Sequence, residues 1–435
     1  MSLCYNETEK LLHCLKKGVS SYHVVAHAAK QLEEAGFTCL KTGEKWKLET
    51  GRNYYTDVYG TTLFAFHIPE NYHSSMPLYA ASAHTDWPGP RIKSNPELTE
   101  GQYQKLNIEI YGGPIFYSWM DRPLSIAGAV CLREKQSVYP EIRLVDFKRP
   151  MAVIPSLAIH YNREVNSHLE LNPQNDLTPL MDVLPPEWKH DGYFQRLLAE
   201  ELGVEPKDIL SWSMGFYNMD EPVLYGEHTE LLSAPRLDNL TSVQGCVSGM
   251  IEASESDVFS AIMLFDNEEI GSSTKQGADS VLTAHLLEKV VLSLGGTHTD
   301  YVDSMMSGIM LSCDVSHAVH PNKPAINDPT NKNFLGDGIA LKMNCRQSYA
   351  TDIQALAFAE DICQKNHIPH KKFHNRADVK GGSTLGSIIS SQLSIRTVDL
   401  GVSILSMHSA RELMASKDQE ALCSFIAAVL KGDAE

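Results

Sequence analysis

Four places in this 435-residue chain set cation-binding or proton-moving residues at the end of an apolar run, and a fifth sets one at a possible helix start. His84 and Asp86 follow the run at 78–83. Glu268 and Glu269 follow 261–265 across Asp266-Asn267, Asp314 follows 308–313, and His408 follows 397–405. Asp238 stands in Pro235-Arg236-Leu237-Asp238-Asn239-Leu240, where a helix can begin. Taken singly, an acid after a strand is usually a helix cap or a turn residue, and a lone histidine is usually a satisfied polar group. The Glu268-Glu269 pair resists that reading, because adjacent carboxylates repel unless a cation or a shared proton relieves them. In His84-x-Asp86, the carboxylate two residues on can hold the ring in the tautomer a metal needs.

Two histidines with several carboxylates and no thiolate suit Zn²⁺, Mn²⁺ or Co²⁺ in an open catalytic site, not a closed structural one. Two cations sharing one carboxylate, with a further carboxylate left to accept a proton, are what metal-assisted peptide hydrolysis requires.

The surrounding elements must bring these groups together. The first forty residues read as helical, with Ser20 or Ser21 as an N-cap, Val25, Ala29 and Leu32 on one face, and Ala35-Gly36 as the stop. Short strands are expected at 62–68, 78–83, 261–265, 308–312 and 396–402, alternating with helical segments in the C-terminal half. That alternation predicts an α/β layered domain. Between about 95 and 225 the texture changes to strand-like alternation, as at 105–111, with many turns and one helical stretch near 192–202. The expected organisation is a discontinuous α/β domain, 1–94 with 226–435, interrupted by a β-rich insert at 95–225. Open α/β sheets place their ligand crevice beyond the carboxyl ends of the strands, so the five places can converge.

Composition narrows the class. The chain is 43% hydrophobic and 21% charged, and no run of 18 apolar residues predicts a membrane span. Its net charge of −17, without a basic stripe, disfavours nucleic acid. Nine scattered cysteines without a CxxC pair, and an N-terminus lacking basic and apolar signal regions, predict reduced thiols in a cytoplasmic protein.

At this point the chain resembles the M18 metallopeptidases, the aspartyl aminopeptidase family. The resemblance rests on Ala83-His84-Thr85-Asp86, Tyr111-Gly112-Gly113, Trp119-Met120-Asp121-Arg122, Leu157-Ala158-Ile159-His160, Arg236-Leu237-Asp238-Asn239, Asp266-Asn267-Glu268-Glu269-Ile270-Gly271, His317-Ala318-Val319-His320-Pro321-Asn322, Gly382-Ser383-Thr384 and Ser406-Met407-His408-Ser409. These run in order along nearly the whole chain. The resemblance implies a fold with a central mixed sheet flanked by helices and an inserted β-rich dimerisation domain. It implies two divalent metal ions, zinc first: His84, Asp238 and Asp314 would hold one, and Asp238, Glu269 and His408 the other. Glu268 would be the general base and Asp86 the partner of His84. His160, from a neighbouring subunit, would complete the substrate site, Tyr349 would lie near the scissile carbonyl, and Lys342 would pair with an acidic substrate side chain. The implied activity is removal of N-terminal residues, acidic ones preferred, from peptides with a free α-amine, in a tetrahedral dodecamer. Trp87, Pro90, Ser403-Ile404 and Lys323 depart from the usual family pattern without removing a proposed ligand.

Three other readings compete: a broad-specificity aminopeptidase of the same family, a non-catalytic assembly scaffold, and a metal-dependent deacylase or carboxypeptidase.

Overall fold

The computed structural model describes residues 6–134, 139–185, 191–228 and 230–433. Cys4 lies outside these. The chain forms two compact units. One runs to Asp86 and takes up Pro222–Met407 and the residues from Glu412 onward, and the other is Trp87–Glu221 with His408–Arg411.

The first unit opens with α1 (Asn6–Lys17) and α2 (Ser21–Glu34), separated by a break at Gly18 and Val19 just before the expected N-cap. Ser20 is the N-cap of α2, its hydroxyl accepting the His23 N–H. Strands β1 (Thr38–Cys39), β2 (Arg52–Val58), β3 (Thr62–Ile68) and β4 (Leu78–His84) come next.

The second unit then supplies β5 (Gly89–Glu100), β6 (Tyr103–Tyr111), β7 (Leu124–Leu132), β8 (Glu141–Asp146), the short α3 (Pro173–Asp176), β9 (Leu180–Val183), α4 (Tyr193–Leu202) and β10 (Ile209–Asn218). Its six strands form a sheet in the order β8-β7-β10-β5-β6-β9, antiparallel throughout. Phe194 and Leu198 of α4 pack into its core with Ile126, Val130 and Phe216. The division falls at 86/87 and 221/222, where the sequence pattern put 94/95 and 225/226. The reason is β5, which starts at Gly89 and pairs with β6 from its first residue.

Back in the first unit come β11 (Val223–Tyr225), β12 (Leu231–Ala234), α5 (Leu237–Glu252), β13 (Phe259–Phe265), α6 (Leu282–Ser293), α7 (His298–Ser307), β14 (Ile309–Cys313), β15 (Ser316–His317), β16 (Ile339–Lys342), α8 (Ile353–Lys365), β17 (His370–Phe373), α9 (Leu385–Leu393), β18 (Arg396–Ile404), β19 (Glu412–Ala415) and α10 (Ser416–Lys431). The main sheet has the order β1-β2-β3-β13-β4-β14-β18-β16-β17. It is mixed, but its centre, β13-β4-β14-β18, is parallel. Every residue of β13 and β14 is buried. A parallel strand covered on both faces reads as an uninterrupted apolar run, which is why these strands stand out in the sequence. Each buried Leu, Ile or Phe there contributes about 1.5–3 kcal/mol of transfer free energy. No helix among the described residues is long and apolar enough to cross a membrane.

Parallel pairing sets Phe265 beside His84 and Ser312 beside Ser82, so β13, β4 and β14 end within a residue of one another, while β18 runs on to Ile404. The residues just past these strands therefore project from one edge. The approach of β18 to β14 is so close that a Cβ on Gly401 would lie 1.8 Å from the Asp314 carbonyl oxygen. Backbone cannot swing aside as a flexible side chain can. Gly401→Ala is expected to lower stability by about 1–3 kcal/mol and to shift Asp314 as well. Thermal melts check this: a variant with unchanged Tm would contradict the tight register.

Candidate metal centre

His84 ends β4 with its ring buried. Its Nδ1 lies 3.0 Å from the carbonyl oxygen of Asp86, so Nδ1–H donates there and Nε2 is left to face outward from the strand end. Nε2 is 3.4 Å from Asp238 Oδ1 and 3.5 Å from Asp314 Oδ1. The Asp86 carboxylate does more than orient this ring. Its Oδ1, 3.5 Å from Nδ1, accepts the Glu268 N–H at 3.2 Å, and its Oδ2 accepts the Glu269 N–H at 3.2 Å. Asp86 thus holds both the histidine and the adjacent glutamates.

The glutamate pair sits on a 3₁₀ turn, Glu268–Ile270, between two left-handed residues, Asn267 at φ 65° and Gly271 at φ 94°. Asparagine and glycine are the residues that take this conformation readily. Asp238 lies in the first turn of α5, after Arg236 at φ 63°. There the unsatisfied N–H groups and the helix dipole favour an anion. Its N–H donates to Glu412 Oε2 at 3.0 Å, and the neighbouring Asn239 amide donates to the Cys313 carbonyl at 2.9 Å. Asp314 follows β14, with its N–H on the Leu400 carbonyl at 2.9 Å.

Within the first unit, the ligand atoms of His84, Asp238 and Asp314 lie within 4.8 Å of one another, and so do those of His84, Glu268 and Glu269. Their electrostatics are strained. Burial, with the neighbouring Asp314, Asp86 and Asp238 carboxylates, pushes Glu268 above its ordinary carboxylate range against the opposing pull of His84. Burial and Asp238 push Glu269 up as well. Burial alone would lower His84, but Asp238, Asp314, Asp86 and Glu268 outweigh it and raise the ring well above the usual histidine value. Burial also opposes charge on Asp314, yet the Lys342 ammonium and His84 hold that carboxyl below its usual range. Glu268 and Glu269, whose charge burial opposes here, are acids that a doubly charged cation would satisfy better. Imidazole nitrogen and carboxylate oxygen are also the donor types zinc takes in open sites, so the residues fit such an ion.

Of the other expected residues, Lys342 reaches this group, its Nζ 3.7 Å from Asp314 Oδ2. Lys342 and Tyr349 are buried, the ammonium 5.3 Å from the Tyr349 ring centre. His408 belongs to the short segment grouped with the second unit, at φ 65°, its Nδ1 3.1 Å from the Gly113 carbonyl. His160 is also in the second unit, in an exposed turn and not on a strand. Sequence reasoning missed Glu412 and Asp399. Both are buried acids on strands, and without partners in view they look like any other strand acid.

A mixed α/β sheet with carboxylates and histidine gathered past its parallel strand ends is the architecture of a metal-dependent hydrolase. The family model described as "Aminopeptidase I zinc metalloprotease (M18)" matches residues 14–428. A protein of Clostridium acetobutylicum described as "Probable M18 family aminopeptidase 2" is 39% identical over 417 residues, covering 95% of this chain and 96% of its own. A protein of Clostridium novyi with the same description is 40% identical over 410 residues, covering 94% and 95%. Among solved structures, the mApe1 dodecamer of S. cerevisiae matches with a TM-score of 0.85 at 26% identity, covering 99% of each chain. The chain belongs to the M18 family, and its activity is that of a zinc-dependent aminopeptidase.

Proposed function

We propose that this aminopeptidase works with two divalent ions per chain, zinc by preference, one held by His84, Asp238 and Asp314 and one by Asp238, Glu269 and His408. The observation that carries this is the meeting of His84, Asp238, Asp314, Glu268 and Glu269 from three parallel strand ends and a helix start. The ions would polarise the scissile carbonyl and acidify a water. Glu268 takes the proton of that attacking water and returns it to the leaving amine. Asp86 keeps Glu268 in place through its backbone N–H, and Tyr349 lies beside the scissile carbonyl.

His160 of one subunit completes the site of its neighbour by donating to the oxygen on which charge develops. The exposed turn around it carries Leu157, Ile159 and Tyr161, at 60%, 50% and 83% exposure, and apolar groups so exposed support coverage by another subunit. The second unit is accordingly a dimerisation domain, and the assembly a dodecamer as named for the yeast relative. A cytoplasmic setting is supported by the free cysteines dispersed through the described residues.

Acidic N-termini are the proposed substrates. One observation favours the broad-specificity alternative: Lys342, the cation that the family resemblance would pair with an acidic side chain, is only 1% exposed. A panel of peptides beginning with Asp, Glu and Leu, each with and without an acetylated α-amine, tests the proposal. Acetylation is expected to abolish cleavage of all three, with N-terminal Asp and Glu cleaved faster than Leu. Turnover of the acetylated peptides would point to a deacylase or carboxypeptidase instead.

A further inference from the structure

Lys342 is the last residue of β16, and few positions in the fold are so closed to solvent. Its Nζ donates to the Val315 carbonyl at 3.1 Å and lies 3.7 Å from Asp314 Oδ2. Directly across the antiparallel β16–β18 pair stands Asp399, itself fully buried. The Asp399 carboxylate accepts the Ala350 N–H and the Thr384 hydroxyl, and its backbone N–H donates to Thr351 Oγ1 at 2.8 Å. Asp399 is therefore anchored, and the ammonium lies between an anchored carboxylate and a metal-site carboxylate.

A buried ammonium is tolerated when opposite charge compensates it, and here Asp314 and Asp399 supply that compensation. The two oxygens of Asp314 are divided. Oδ2 faces Lys342, whereas Oδ1 lies 3.5 Å from His84 Nε2. The Tyr349 ring lies over the ammonium at 5.3 Å. A substrate carboxylate would have to displace this existing pairing.

We propose that Lys342 is a positioning residue for Asp314. It engages Oδ2 so that Oδ1 stays turned toward His84 and the ion, and it takes no part in reading the charge of the substrate side chain. This rests on the metal-centre reading above. Removal of the ammonium lets the Asp314 carboxylate rotate, which weakens zinc binding for every substrate alike.

Two variants test it. Lys342→Gln keeps a donor for the Val315 carbonyl. Lys342→Met/Asp399→Asn removes both buried charges together, so neither is left uncompensated. Thermal melts establish folding, metal-free protein is titrated with Zn²⁺ against a chromophoric chelator, and kcat/KM is measured on peptides beginning with Asp and with Leu. Zinc affinity is expected to fall about tenfold or more in both variants. The Asp-to-Leu ratio of kcat/KM is expected to stay within about twofold of wild type, a smaller change than a lost charge-assisted contact would cause. Unchanged zinc affinity in a folded variant overturns the proposal, and so does a fall in the Asp-to-Leu ratio beyond that range. If the wild-type protein itself takes up no zinc, the metal-centre reading fails first, which is a separate and visible result.

Discussion

Replacing Glu268 by glutamine is expected to reduce kcat by about 10²–10⁴-fold, the range that one positioned proton acceptor contributes. At 1.36 kcal/mol per decade this corresponds to about 3–5 kcal/mol of transition-state stabilisation. The substitution is nearly isosteric and leaves the backbone N–H of residue 268 on Asp86, so the 3₁₀ turn has no reason to move. In the proposed ligand sets Glu268 is the acid that binds no ion. Zinc content and KM are therefore expected to stay near wild type while turnover is nearly lost. That combination separates a base from a ligand. Wild-type kcat in the glutamine variant would remove Glu268 from the mechanism. A parallel loss of zinc would make it a ligand.

Asp238→Ala is expected to have the larger effect, because Asp238 is the carboxylate proposed to be shared between both ions. It stands at the start of α5, its Oδ1 3.4 Å from His84 Nε2. Each proposed triad would drop from three protein ligands to two, and a catalytic zinc ordinarily keeps three. Zinc content is expected to fall well below one ion per chain, and activity below detection. Helix α5 should survive, since its remaining residues are almost all buried and the Thr241 hydroxyl still bonds the Leu237 carbonyl at 2.9 Å. Circular dichroism together with metal analysis checks both points. A variant that keeps two tightly bound ions would contradict the shared-ligand assignment. Glu268→Gln and Asp238→Ala are thus expected to fail differently: one loaded and inert, the other empty.

The two predictions also mark what the sequence can reveal. Strands β3, β4, β13, β14 and β18 are legible because each is covered on both faces and reads as an apolar run with polar residues after it. Their neighbour order is not legible, because β13 lies beside β4 although Trp87–Glu221 of the second unit intervenes in the chain. Helix α2 announces itself through Ser20, the N-cap that marks its start in the sequence as in the fold. At the site, Glu268-Glu269 and His84-x-Asp86 are conspicuous because like charges and ring partners lie close in sequence. Two facts are lost for the same reason. The Asp86 carboxylate grips the backbone of residues more than 180 positions away, and Glu412 accepts the Asp238 N–H. Lys342 is the sharpest case. A lysine at the end of a short strand reads as a surface group, and only the meeting of β14, β16 and β18 buries it between Asp314 and Asp399.

Metal analysis of the purified protein, with peptidase activity assayed before chelation, after chelation and after zinc is restored, tests the centre most directly. About two ions per chain are expected, with loss of activity on their removal and its return with zinc. A protein stripped of metal that still cleaves N-terminal residues at its original rate would contradict this expectation.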